Sequence, residues 1–176
     1  AEYTLENRVT RAIRFGTDCL AGIPSIIFGL FGFIFFVVLL NLGWCLLSGA
    51  LTLAIMVLPT IIRTSEEAIR SVPHAYREVS FSLGATRWET VVKVVLPNAL
   101  PGIMTGAILA ISRAAGEVAP IMFTGAVFYR NIVEGDFFAY NVNDQCMALS
   151  MHLYTVSTQV PNVKESIPFA TAVVLL

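Results

Sequence analysis

From Cys19 to Leu40 the chain carries no charged side chain, and from Leu46 to Ile62 it again carries none. About 20 apolar residues in helical form cross a hydrocarbon layer of roughly 30 Å, so the first run is long enough and the second only just so. A third run starts near Val94 and reaches Tyr129, interrupted by Arg113, Glu117 and Pro120. A soluble globule cannot hide three such runs. With 56% hydrophobic and 13% charged residues, the chain has about half the usual charged share. The expected fold class is an all-α integral membrane protein, a transmembrane helix bundle.

Details within the runs support helices that pack closely. Gly22, Gly29, Gly32 and Ser25 suit near approach of a neighbouring helix, and Pro24 suits a break or kink. Asn41 to Trp44 is a polar-aromatic interruption, with Trp44 suited to a membrane interface, and Pro59 lies near the end of the second run. The expected spans are 19–40, 46–62 and 95–128, with a last one starting at 168. The final FATAVVLL is about a third of a span. With Ala1 first and no signal peptide before the first apolar run, the sequence reads as a fragment of one membrane domain.

Basic residues set the expected orientation. Arg8, Arg11 and Arg14 precede the first run, and Arg63, Arg70, Arg77, Arg87 and Lys93 lie between the second and third. The connection after the third run offers only Arg130 and Lys164. By the positive-inside rule, residues 63–94 face the cytoplasm and residues 130–165 the outside.

The cytoplasmic connection is full of helix punctuation. Thr64-Ser65-Glu66-Glu67 reads as a helix start with Thr64 as N-cap. Pro73 suits the first turn of a second short helix, which runs through HAYREVSFSL and stops at Gly84. Thr86-Arg87-Trp88-Glu89 forms a further capping box leading into the third span. On the middle helix the period places Tyr76, Val79 and Leu83 on one face and His74, Arg77, Glu78 and Phe81 on the other. The first face is expected to pack on the protein's own helices. The second suits either a docking partner or lipid headgroups.

No phosphate-binding loop occurs, so ATP hydrolysis is not expected in this chain. His74 and His152 are isolated, and no nucleophile or metal set accompanies them. Cys19, Cys45 and Cys146 are scattered and odd in number, implying neither a zinc site nor a disulfide framework. No cofactor, metal or enzyme activity is expected. A net charge of −1 gives no electrostatic case for nucleic acid.

Glu78-Val79-Ser80, then Gly84, Val94 and Leu96-Pro97 keep the spacing of the EAA loop found in permease subunits of bacterial ABC importers. Val79 and Ser80 stand where that family has alanines, and Val94 where it has isoleucine. The segments RAIRFGTDCLAGIPSIIFGLFG, IIRTSEEAIRSVP and LGATRWETVVKVVLPNALPGI resemble the phosphate importer permeases of the PstA type. The resemblance covers nearly the whole chain, without the family's opening spans or the rest of its last helix. It implies a coupling helix seated on a separate ATP-binding subunit, through His74, Arg77, Glu78, Phe81 and Gly84. It also implies a second permease subunit, a phosphate-binding protein outside, and surrounding membrane lipids.

Arg113 and Glu117, four residues apart, share a helix face about 22 Å beyond Asn98, well inside a bilayer. Ionised groups at that depth normally line a bundle interior or a polar pathway. The pair suits a scaffold salt bridge, or a weak oxyanion site in which Glu117 competes for the guanidinium and Gly116 allows close approach. In the outer connection, Asn143 or Asp144 is placed to cap a helix through CMALSMHLYTVSTQ, with Met147, Met151, Leu153 and Tyr154 on its apolar face. That helix suits an interfacial seal or contact with a solute-binding protein. Glu134, Asp136, Asp144 and Glu165 make this side acidic, which favours delivery of phosphate by a carrier. The function expected is a phosphate importer permease. The alternatives are a permease for sulfate or molybdate, or a structural subunit without a pathway.

Overall fold

A computed structural model describes residues 8–125, 142, 144–161 and 163–176. Among these, every regular element is helical, in keeping with the expected fold class. The elements are α1 (Arg8–Ala21), α2 (Ser25–Gly32), α3 (Leu46–Ser71), α4 (His74–Ser82), α5 (Arg87–Thr90), α6 (Leu96–Gly116), α7 (Ala119–Thr124), α8 (Leu149–Thr158) and α9 (Ser166–Leu175). Wider π-helical turns extend α2 over Phe33–Leu39 and join α5 to α6 over Val91–Val95. The chain divides into two compact units, residues 1–22 with 57–111, and residues 23–56 with 112–176.

Two helices are long and apolar enough to cross a membrane, Leu46–Ser71 and the continuous Arg87–Gly116. The charge-free run 19–40 is not one helix. α1 ends at Ala21 and α2 starts after Pro24, whose backbone is extended at ψ 140°. Pro24 has no N–H for a preceding turn and pushes Ile23 out of helical geometry, so the helix must restart. Arg8–Ala21 and Ser25–Leu39 reach spanning length only when taken together.

α3 also departs from the sequence reading. It continues through Thr64, so Thr64 caps nothing. Its hydroxyl donates back to the Thr60 carbonyl at 3.0 Å and the Ile61 carbonyl at 3.2 Å, which satisfies it inside an unbroken helix. With 26 residues, α3 is about 39 Å long and outruns the hydrocarbon layer. The excess is the charged end.

In the first unit, α1 runs beside that charged end. Arg14 pairs with Glu66 at 2.5 Å, Arg70 joins the same carboxylate at 3.0 Å, and Arg63 reaches Asp18 at 2.6 Å. A cleft of about 920 Å³ lies along this seam, with Val9, Ile13 and Ile62 among its walls. Between the end of α3 and the start of α6, the buried Val72, Val95 and Ala99 form a small core with Ile69 and Ile103 against it. Full burial of a valine side chain stabilises by about 1.5–3 kcal/mol, so this core fixes the end of α3 to the start of α6.

The widened turn at Val91–Val95 precedes Pro97, whose ring would crowd the Lys93 carbonyl in a regular helix. Asn98 donates its side-chain amide to the Val94 carbonyl at 2.7 Å, adding a donor where the proline has none. The LP of the loop motif thus sits at the joint between loop and span.

In the second unit, α2 packs on α7. A Cβ on Gly29 would lie 3.0 Å from the Ala119 carbonyl and the Phe123 ring, and one on Gly32 would collide with Thr52. The expected close approach is therefore real at these two glycines. Phe28, Phe36, Cys45, Ile121 and Met151 are buried in this unit. α8 starts later than expected, after Ala148, with no side-chain cap. The Asp144 carbonyl instead accepts from the Leu46 N–H at 2.9 Å, and Asn143, Arg130, Glu134 and Asp136 fall outside the described residues.

Candidate functional site

α4 is the shortest independent helix of the first unit, yet both of its ends are built. Pro73 precedes it in extended conformation, as a proline beside a helix start should. At the other end Gly84 takes φ +82°. The Gly84 N–H donates to the Phe81 carbonyl at 2.9 Å and the Ala85 N–H to the Ser80 carbonyl at 3.2 Å. That crossed pair is a Schellman motif, which needs the left-handed residue glycine supplies without strain.

Two residues later the capping box is complete. The Glu89 N–H donates to the Thr86 hydroxyl oxygen at 3.3 Å, and the Thr86 N–H donates to the Glu89 carboxylate at 3.0 Å. The backbone hydrogen bond from Thr86 holds the Glu89 carboxyl below the usual carboxylate range, helped by the Thr86 hydroxyl and by Lys93. A cap of this kind stabilises a helix start by about 1 kcal/mol. Both helix ends that meet in this connection are capped by local hydrogen bonds.

Which way α4 faces is another matter. Arg77 lies inward, 8% exposed, instead of outward with His74, Glu78 and Phe81. Its Nη1 donates to the Val72 carbonyl at 2.6 Å and its Nη2 to the Ile69 carbonyl at 3.0 Å. Ile69 is in the last turn of α3 and Val72 lies just past it, at the open C-terminal end where a cation is favoured. Ser80 is also buried, and its hydroxyl lies 2.9 Å from that of Thr90. Tyr76, Val79 and Leu83, expected to pack inward, are 51%, 59% and 83% exposed. The expected apolar stripe is outward, and of the expected outward set only Arg77 has turned in. His74, Glu78, Phe81 and Gly84 are exposed as expected, and Trp88 on α5, which the periodicity did not single out, is exposed as well.

The other candidate group lies in the second unit. α6 ends at Gly116, and Glu117 and Val118 form a break before α7. Pro120 explains it, since it cannot donate to the Gly116 carbonyl. Arg113 Nε lies 3.6 Å from one Glu117 carboxylate oxygen, with side chains 55% and 17% exposed. At that distance the two attract by charge without forming a bidentate, hydrogen-bonded fork. Ser150 on α8 donates to the Glu117 carbonyl at 3.0 Å, so Glu117 is held from its backbone while Arg113 projects. A Cβ on Gly116 would meet nothing within 4 Å, which leaves open space beside the backbone at the pair.

Residues 2–163 match the family described as binding-protein-dependent transport system inner membrane component. The chain belongs to this family. It is a family of transport permease subunits of the inner membrane, not of enzymes, and the resemblance carried by the EAA spacing is borne out.

Among its curated relatives, the probable ABC transporter permease protein YqgI of Bacillus subtilis (strain 168) is 41% identical over 165 residues, which is 90% of this chain and 56% of the relative. The phosphate transport system permease protein PstA 1 of Mycobacterium tuberculosis (strain H37Rv) is 37% identical over 151 residues, 86% of this chain and 47% of the relative. The phosphate transport system permease protein PstA of Xylella fastidiosa (strain 9a5c) is 40% identical over 124 residues, 70% of this chain and 43% of the relative. The chain spans about half the length of the curated relatives it matches. No solved structure matches it. Within the permease family's loop pattern, Ser80 in place of alanine places a buried hydroxyl opposite Thr90.

Proposed function

We propose that this chain forms part of the permease subunit of an ATP-driven importer that carries inorganic phosphate inward across the cytoplasmic membrane. A separate ATP-binding subunit docks on α4, a second permease subunit completes the pathway, and a phosphate-binding protein delivers the ion from outside. The observation that carries this reading is the construction of α4. A helix capped by a Schellman motif and braced from beneath turns Tyr76, Val79, Phe81 and Leu83 outward. Exposed aromatics among His74 and Glu78 are the composition of a docking face. The pairs Arg14–Glu66 and Asp18–Arg63 put the basic stretch before the first run and the start of the loop at the same end, as a common cytoplasmic side requires.

Transport then follows an alternating-access cycle. Closure of the ATP-binding subunits moves the docked helices, and the stiff connection through Thr86 passes that motion to α6. Arg113, with Gly116 beside it, contacts the passing anion, while Glu117 keeps that contact weak enough for release. Phosphate as the solute is supported by the names of the PstA relatives. The test is uptake of labelled phosphate by vesicles holding the whole complex with its binding protein. Uptake that requires ATP and survives excess sulfate and molybdate is expected. Loss of the signal to either competitor reassigns the solute to another oxyanion.

A further inference from the structure

Two buried polar groups on α4 touch neither the docking face nor the pathway. Arg77 reaches up to the C-terminal end of α3, to the Ile69 carbonyl in its last turn and the Val72 carbonyl just past it, and Ser80 reaches across to Thr90 at the end of α5, which leads into α6. They lie three residues apart, on the inward side of one helix, and point to the two different spans that α4 connects. Both are buried, so their hydrogen bonds are not exchanged for water at little cost.

We infer that Arg77 and the Ser80–Thr90 hydroxyl pair are positioning residues that brace α4 to both flanking spans, so that a load applied to its outer face reaches α3 and α6 together. Without the brace, α4 can tilt under load on its glycine and proline ends, and the motor's stroke is spent in the loop. Arg77 is suited to this because its planar fork engages two carbonyls at once, and its charge complements the helix end. The Ser80–Thr90 contact performs the same task toward α6 with neutral groups. This rests on the coupling role proposed for α4 above.

The test uses the whole complex in vesicles and reads ATP hydrolysed per phosphate moved, alongside crosslinking from Phe81→Cys to the ATP-binding subunit. Arg77→Gln is expected to raise that ratio by about tenfold or more, since both charge-assisted bonds go. Docking and ATP hydrolysis are retained. Arg77→Lys keeps the charge but offers one nitrogen, and its ratio falls between Arg77→Gln and the parent. The double change Ser80→Ala with Thr90→Val removes the second brace without leaving a lone buried hydroxyl, and it too raises the ratio. If Arg77→Gln fails to assemble, the lysine and double variants decide by the same ratio. An unchanged ratio in variants that still crosslink overturns the brace and leaves the coupling role standing. Absence of crosslinking in the parent complex overturns the coupling role itself.

Discussion

Replacing Gly84 by valine is expected to uncouple ATP hydrolysis from phosphate movement in the proposed importer. Gly84 sits at φ +82°, and a side chain there would meet no atom within 4 Å. Space is therefore not the constraint; backbone conformation is. A residue with a Cβ pays about 1–2 kcal/mol in the left-handed region, and a β-branched one more. The chain escapes that strain by giving up the crossed hydrogen bonds from Gly84 and Ala85, which free the Phe81 and Ser80 carbonyls. The end of α4 then frays, next to the Thr86 cap that starts the way into α6. The expected outcome is phosphate uptake reduced by at least about tenfold, with ATP hydrolysis retained in the assembled complex. Gly84→Ala, which carries strain without the branched side chain, should fall between. Full coupled transport in Gly84→Val would count heavily against a rigid connection.

Arg113→Gln should abolish phosphate uptake and leave assembly intact. The ion pair it removes is loose, 3.6 Å through Nε, and Arg113 is more than half exposed, so its loss costs the fold little. What disappears is the charge at a place where α6 stops, Gly116 leaves open space, and a break separates α6 from α7. Glutamine keeps a donor and most of the length but cannot offer a charged fork to a tetrahedral oxyanion. Exchange of the two charges, Arg113→Glu with Glu117→Arg, separates scaffold from pathway. A scaffold salt bridge would be rebuilt and uptake would return. An anion contact would not, because Glu117's position is set from its backbone by Ser150 and differs from that of Arg113. Normal uptake in Arg113→Gln would remove the anion contact from the mechanism.

What the sequence made legible, and what it hid, divides by the range of the interactions. The stop at Gly84 and the box at Thr86 and Glu89 were readable because every partner lies within five residues along the chain. The interruption at Pro24 was readable for the same reason. Thr64 looked like a cap, with a glutamate three residues later, but the same hydroxyl is equally satisfied by carbonyls of its own helix. Continuation won because Glu66, Arg63 and Arg70 gain partners on α1 and within α3, which no local pattern shows.

The facing of α4 failed for a related cause. Periodicity assumes that apolar stripes turn inward, yet the inward neighbours of α4 are a helix end rich in open carbonyls and a threonine. Those neighbours call for an arginine and a serine, and the apolar stripe is left outward, where the proposed ATP-binding subunit would cover it. The sign visible in retrospect is the polar spacing of Arg77 and Ser80, three residues apart on one side of the helix. In the span, Arg113 and Glu117 were readable as a pair, but the break that follows them came only as a hint from Pro120.

The central claim is that α4 is the handle by which a nucleotide-driven subunit moves this permease. Its most direct measurement is crosslinking from Phe81→Cys, in a complex whose exposed Cys19 has been replaced, with nucleotide bound and absent. A covalent adduct with the ATP-binding subunit is expected, in a yield that changes with nucleotide, with no labelling by a membrane-impermeant thiol reagent added from outside. Labelling from outside, with no adduct in any nucleotide state, would contradict it.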